Sequence, residues 1–277
     1  MADLIPAIGS FISFGINGTA NKNSMNTVGR HKAIVYGYAI ISIILLAGAL
    51  IFRLDLSIPQ RLLPLYALDI GIGAGAVIAY YKAMDLGRAS TTLALSQSYV
   101  LLVLLAGVLL LGERLSLPQI AGALIILSAA IAISIPRGGR LEGGTIFLPI
   151  TIIGWTAYYS IIKVFVDAMG PYSSTVMLET GIFVVVSLFY LVRGKDLSLP
   201  DRKGWPSIGV QQVAACFGAV LYSMSVLAIG AGLTAAIGSG SLIVNSIASY
   251  FWLKEKLDTR SYLAIVAMVV GLVLIAL

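Results

Sequence analysis

The chain has 277 residues, 59% of them hydrophobic and only 11% charged, with a mean hydropathy of +0.98. A soluble domain carries roughly 25% charged residues, so the composition excludes an ordinary water-soluble fold and points to lipid as the solvent. The net charge of +6 comes from lysines and arginines set singly at segment ends, without interleaved aromatics, which fits membrane orientation and argues against a nucleic-acid partner.

The lone Cys216 lies in apolar sequence, so there is no disulfide framework, and neither a metal set nor a cofactor is expected. Spanning the hydrocarbon core takes roughly 20 mainly apolar residues. Read in order, apolar runs bounded by charged or Pro/Gly turns predict ten spans: 3–22, 33–52, 62–84, 90–111, 117–135, 144–166, 172–192, 206–228, 232–253 and 259–277. Continuous runs favour helices over a barrel, whose strands would alternate lipid-facing and lumen-facing residues. The expectation is an all-α integral membrane protein in which residues 1–277 form a single transmembrane domain. No basic segment precedes the first run, so it reads as a spanning helix, not a cleavable leader.

Polar side chains inside lipid are costly, and each is a candidate for function, with helix-to-helix adhesion as the plainer alternative. On the first span Ser10, Phe14, Asn17 and Asn21 fall on one helical face. The third span carries Asp69, the glycines Gly71, Gly73 and Gly75, then Tyr80 and Tyr81; the fourth carries Thr92, Ser96, Gln97 and Tyr99. On the sixth, Trp155, Tyr159 and Lys163 share a face, with Tyr158 and Ser160 beside them. Glu179 lies in the seventh span and Tyr222 in the eighth, while Ser241, Asn245 and Ser249 form a stripe on the ninth. Asp69 and Glu179 sit deep enough to exchange protons in a coupled mechanism; against this, the second copy has Gln211-Gln212 where the first has Asp69, and a carboxyl near a helix start also serves the helix dipole. Lys22 and Lys163, near helix ends, either attract an anionic group or snorkel to the headgroups. Glu113 and Glu255, at turns before a helix, read as structural acceptors for unpaired amides. His31 reads as a solvated loop residue between Arg30 and Lys32.

The chain repeats itself. Leu54-Asp55-Leu56-Ser57-Ile58-Pro59 recurs as Lys195-Asp196-Leu197-Ser198-Leu199-Pro200, a shift of 141 residues that also superposes Phe14 and Lys22 on Trp155 and Lys163. Gly75-Ala76-Val77 matches Gly218-Ala219-Val220, Gly87 matches Gly230, and Gly112-Glu113-Arg114-Leu115 matches Lys254-Glu255-Lys256-Leu257. The reading is two copies, 1–139 and 140–277, of five helices each. An odd number of spans makes the second copy enter from the opposite side, and inverted repeats place a substrate site near the midplane between them.

Phe14-Gly15 followed by Lys22, the partner Trp155 and Lys163, and Leu111-Gly112-Glu113-Arg114-Leu115 with Gln119 and Gly122 resemble the drug/metabolite transporter superfamily, in its EamA-type ten-helix branch. The resemblance covers essentially the whole chain; one departure is Phe14 where the family usually has tryptophan. It implies a secondary transporter of small metabolites, such as amino acids or drugs, exporting or exchanging them by alternating access. It also implies a central cavity lined by the first, third and fourth helices of each copy, here Phe14, Asn17, Asn21, Tyr80, Tyr81, Ser96, Gln97, Tyr99, Trp155, Tyr158, Tyr159, Lys163, Tyr222, Ser241 and Asn245. Aromatic walls with hydroxyls and amides suit an amphipathic, uncharged or zwitterionic solute better than a polyanion. The expected partners are that solute, the bilayer of a cell membrane, and a proton or counter-substrate, in a monomer or homodimer. With no catalytic dyad and no P-loop, an enzyme is not expected; the competing reading is a membrane scaffold or receptor without transport.

Arg30, Lys32, Lys82, Arg88, Arg137, Arg140, Arg193, Lys195, Arg202, Lys203, Lys254, Lys256 and Arg260 fall at one side, against Arg53, Arg61 and Arg114 at the other. The positive-inside rule therefore puts both chain ends outside. The resemblance implies the reverse.

Overall fold

A computed structural model of the chain describes residues 2–87, 89–134, 143–252 and 259–276, which form helices joined by short connections, with no strand among them. The first copy runs α1 (Ile5–Val28), α2 (Arg30–Ile51), α3 (Leu63–Leu86), α4 (Ala89–Ser96), α5 (Tyr99–Leu109) and α6 (Leu117–Ser134). The second runs α7 (Leu148–Met169), α8 (Pro171–Val192), α9 (Gly204–Ile229), α10 (Ala231–Gly238), α11 (Ser241–Trp252) and α12 (Thr259–Ala276). The turn motif Lys254–Leu257 with Glu255, and Arg88, Arg137 and Arg140, lie outside the described residues, as does the side chain of Ser249.

Among the described residues, six segments are long and apolar enough to cross a membrane: Arg30–Ile51, Gln60–Leu86, Gly143–Met169, Pro171–Val192, Gly204–Ile229 and Ala231–Trp252. The other predicted spans differ for identifiable reasons. Asn17, Asn21, Lys22 and Asn23 dilute the apolar content of α1, while α5, α6 and α12 are apolar but short over their described parts. The fourth span is not one helix. After Ser96 the backbone tightens, with Ser98 N–H bonded to the Leu95 carbonyl and Val100 N–H to that of Gln97, so α4 stops and α5 begins. The second copy breaks at the equivalent place, where Gly240 N–H bonds the Ile237 carbonyl and Leu242 N–H that of Ser239.

Single glycines join the first two helices of each copy. Gly29 and Gly170, 141 residues apart, have φ of +83° and +80°, a region that L side chains avoid. Each closes one helix and opens the next: Gly29 N–H bonds Met25 O and its carbonyl takes Ala33 N–H, while Gly170 does the same with Val166 and Ser174.

The copies interlock. α1 packs chiefly on α9 and α11, α3 on α7 and α8, α2 on α8 and α9, α5 on α10, and α6 on α12. Without a hydrophobic force between helices in lipid, small residues permit close approach. A Cβ at Gly218 would lie 2.9 Å from the Phe14 ring, and one at Gly154 would lie 2.7 Å from Ala76 Cβ. Of the third-span glycines, Gly73 packs tightly in this way, against Ile182 and Tyr158, whereas Gly71 and Gly75 face open space. Large apolar side chains such as Ile43, Leu50, Leu191, Phe217 and Val266 stay exposed on the outer faces, as a lipid-facing belt requires.

Arg30, Lys32, Lys82, Arg193, Lys195, Arg202 and Lys203 gather at the end where α1, α3 and α8 finish and α2 and α9 start, the basic end. Arg30 pairs with Asp85 at 2.8 Å, Lys32 with Asp196 at 2.9 Å, and Tyr36 OH donates to the Leu197 carbonyl at 2.5 Å. Lys82 lies within α3, its ammonium 4.2 Å from the Phe147 ring centroid, not in a loop. His31 also departs from the loop expectation: it sits in the first turn of α2 with its ring 4.8 Å from that of Tyr190.

Candidate functional site

A cavity of about 1190 Å³ of non-atom space, counting the part continuous with the outside, lies between the copies. Its wall comes from α1, α2, α3, α4 and α5 of one copy and from α7, α8, α9, α10 and α11 of the other.

The aromatic side of the wall is a chain of rings from five helices. Trp155 lies 4.7 Å from Tyr80 and 5.5 Å from Tyr99, and Tyr159 stacks on Tyr99 at 5.1 Å with an interplanar angle of 22°. Tyr159 then meets Tyr222 at 4.7 Å, and Tyr222 meets Phe14 edge-on at 6.4 Å. Offset and edge-to-face pairs of this kind lock one another's rotamers and keep the cavity from closing on itself.

Nearer the basic end the wall is polar and tied into a ring of hydrogen bonds. Gln211 Nε2 donates to Tyr81 OH at 2.5 Å, Tyr81 OH donates to Asn21 Oδ1 at 2.9 Å, Asn21 Nδ2 to Asn17 Oδ1 at 3.1 Å, and Asn17 Nδ2 to the Gln211 carbonyl at 2.9 Å. The amides on the first span are thus spent largely on joining α1, α3 and α9. The two helix breaks meet where Gln97 Nε2 donates to Ser241 Oγ at 3.2 Å.

The acidic feature of the wall is Glu179, whose Oε1 accepts from Tyr158 OH at 3.3 Å. Asp69 is buried away from the cavity, and neither of its oxygens has a hydrogen-bond partner among the described residues. Ser10, Thr92, Ser160, Ser96, Asn245, Lys163 and Lys22, also named from sequence, stand apart from the wall. Ser96 turns its hydroxyl back to the Leu93 carbonyl at 2.7 Å, easing the break in the helix. Asn245 lies behind α1, where its side-chain oxygen accepts from Thr19 at 2.9 Å. Lys163 is drawn to Asp167 of its own helix at 3.0 Å. Lys22, for which anion attraction or snorkelling is expected, instead donates to the carbonyls of Met84 at 2.7 Å and Gly87 at 3.2 Å. It neutralises the negative end of α3.

Glu113 accepts from amides, as a turn carboxylate is expected to, but those of a distant helix: Ala231 N–H at 2.5 Å and Gly232 N–H at 2.9 Å, at the start of α10. Polar wall residues that the sequence reading did not assign to the cavity are Tyr38, Thr175, Gln212 and Ser223. Two of these, with Glu179, come from the second helices, α2 and α8. Tyr38 is 141 residues before Glu179, so the repeat itself held the signal.

An all-helical, two-copy membrane bundle around a walled central cavity is the architecture of a multi-pass transporter. The EamA-like transporter family matches the chain twice, over residues 3–135 and 143–277, and the chain belongs to that family. It is accordingly a membrane transporter of the drug/metabolite type. Among solved structures, one described only as "Crystal structure of protein" is similar in fold, with a TM-score of 0.78 at 16% identity over 96% of this chain and 94% of that one. No curated protein matches the sequence.

Proposed function

We propose that the chain is a secondary transporter that carries a small amphipathic solute through the central cavity by alternating access, as an exporter or exchanger. In this reading α4 with α5, and α10 with α11, each cross the membrane once as an interrupted helix, giving ten spans in two inverted copies. The observation that carries it is the cavity wall itself, built in parallel from both copies and holding both helix breaks. Broken helices at a midplane site are how inverted-repeat carriers expose backbone and polar groups to a solute. A scaffold without transport would have filled its centre.

Glu179 on the wall, with Asp69 behind it, supplies carboxyls that could exchange a proton for the solute, and no ATP-binding motif is present in the sequence. The test is solute flux in proteoliposomes without ATP, using a broad panel with imposed proton or counter-solute gradients. Trp155→Ala should cut flux at least ten-fold while the protein stays monodisperse. Absence of flux for the whole panel, or unchanged flux in Trp155→Ala, would sink the reading. The orientation follows from the basic end being cytoplasmic. A cysteine at Ser116 should then react with impermeant maleimide in intact cells and one at Ser198 should not; the reverse pattern would invert the topology.

A further inference from the structure

We infer that the cavity selects a protonated amine carried on an aromatic body, with Glu179 as its counter-charge and the rings of Tyr99, Trp155, Tyr159 and Tyr222 as its cage; this rests on the reading of the cavity as the solute site. No lysine, arginine or histidine is on the wall among the described residues, and Glu179 is the one carboxylate there. Tyr99, Trp155, Tyr159 and Tyr222 all line the cavity and pack in a chain with ring centroids 4.7 to 5.5 Å apart, an aromatic surface of the kind that attracts a cation. Glu179 adjoins this cage through Tyr158, which donates to it at 3.3 Å and lies edge-on to Tyr159 at 5.2 Å.

The remaining polar atoms point the same way. Gln97 Oε1 and Tyr222 OH have no partner among the described residues, although their side chains are only 5% and 2% exposed. Unmet buried groups of this kind are rare and call for a ligand or water. The Gln97 amide nitrogen is already engaged by Ser241, so what it offers the cavity is an acceptor, as does Glu179. An ammonium group brings up to three N–H donors to such acceptors. A carboxylate would meet Glu179 and ring faces with no cationic partner. The site therefore disfavours anions and ranks a simple amine above the corresponding amino acid.

Four indoles of one shape separate these terms: tryptamine (cation), tryptophol (neutral), tryptophan (zwitterion) and indole-3-propionate (anion). Calorimetric titration of the purified full-length protein should rank tryptamine first, at least ten-fold tighter than tryptophol, with indole-3-propionate weakest. Glu179→Gln should erase the preference for tryptamine over tryptophol while leaving tryptophol within two-fold, and Glu179→Asp should restore part of it. The ranking by the unmodified protein decides the matter even where a variant misfolds. Equal or tighter binding of tryptophol, tryptophan or indole-3-propionate would overturn the inference, as would binding of none of the four, or a Glu179→Gln loss shared equally by all. Tryptamine that binds but is not carried in proteoliposomes would sink transport and keep amine recognition. Flux of other solutes without tryptamine binding would do the opposite.

Discussion

Lys22 and Lys163 occupy equivalent positions of the two copies, yet Lys22 reaches across to the carbonyls of Met84 and Gly87 on α3 while Lys163 folds back onto Asp167 of its own helix. Position 26, which corresponds to Asp167, is Asn26, so Lys22 has no such acid at hand. Hydrogen bonds to charged groups contribute about 1.5–3 kcal/mol, and an exposed i,i+4 pair about 0.3–0.5. Lys22→Met should therefore lower the melting temperature in detergent and open the basic end, raising maleimide labelling of a cysteine placed at Gln212 several-fold. Lys163→Met should leave both measurements near those of the unmodified protein.

The ring of Gln211, Tyr81, Asn21 and Asn17 makes Tyr81 OH a shared link. Tyr81→Phe strands Gln211 Nε2 and takes the short donor from Asn21 Oδ1. Leaving a buried polar group unmet costs about 1–3 kcal/mol. The expected result is a clear loss of thermal stability, and a loss no larger than that of an exposed tyrosine, such as Tyr262→Phe, would refute the ring's contribution.

Glu113 holds the first amides of α10 from the far copy, so its removal should act there and not on the neighbouring α6. Loss of a cap costs about 1 kcal/mol, with a further 0.3–1 from the helix dipole. Hydrogen exchange should accelerate over residues 231–234 in Glu113→Ala and less so in Glu113→Gln, which keeps one acceptor. Unchanged exchange in both variants would contradict the assignment.

Arg53 is a non-glycine residue with a positive φ of 50°, and the position equivalent to it in the second copy is Gly194 at 59°. A left-handed conformation costs an L side chain about 1–2 kcal/mol. Gly194→Ala should destabilise by that order. Arg53→Gly should stabilise by somewhat less than 1 kcal/mol, since glycine loses more freedom on folding, and thermal scans of the two variants should move in opposite directions.

The Asp196 carboxyl, in the loop after α8, is held down to about 2 by the Ser198 backbone N–H and then by Lys32. A depressed folded value stabilises the fold above the unfolded carboxylate range near 3.9 and is lost as pH falls through about 2. The side chain is fully exposed, so screening keeps the effect small. The unmodified protein should melt slightly above Asp196→Asn at pH 7, and the two curves should converge as pH approaches 2.

What sequence made legible, and what it did not, divides along physical lines. The duplication was visible because loop motifs such as Asp55-x-Ser57 and Asp196-x-Ser198 do the same local work twice, each aspartate accepting from the backbone N–H two residues on. The aromatic part of the wall was legible because large rings stand on five of the predicted spans, the first, third, fourth, sixth and eighth. The breaks were not: Gly238-Ser239-Gly240 is a weak signal, and Ser96-Gln97-Ser98 has no strong breaker, so tertiary contacts decide there. Lys163 shares a helical face with Trp155 and Tyr159, yet Asp167 four residues on has the closer claim to its ammonium. Helical periodicity alone does not tell which polar face meets a void and which meets another helix, which is why Asn245 and Ser96 fell outside the wall.

The interlocking of the copies has a consequence for synthesis. Ser10 hydrogen-bonds the carbonyl of Gly218, and Asn17 that of Gln211, partners 208 and 194 residues further along the chain. At roughly 5–20 residues per second, those partners leave the ribosome on the order of 10–40 s after α1 does. For that interval Ser10 and Asn17 wait without these partners, while Asn21 and Lys22 already find theirs on α3, so the first half enters the membrane partly satisfied and the second half completes it.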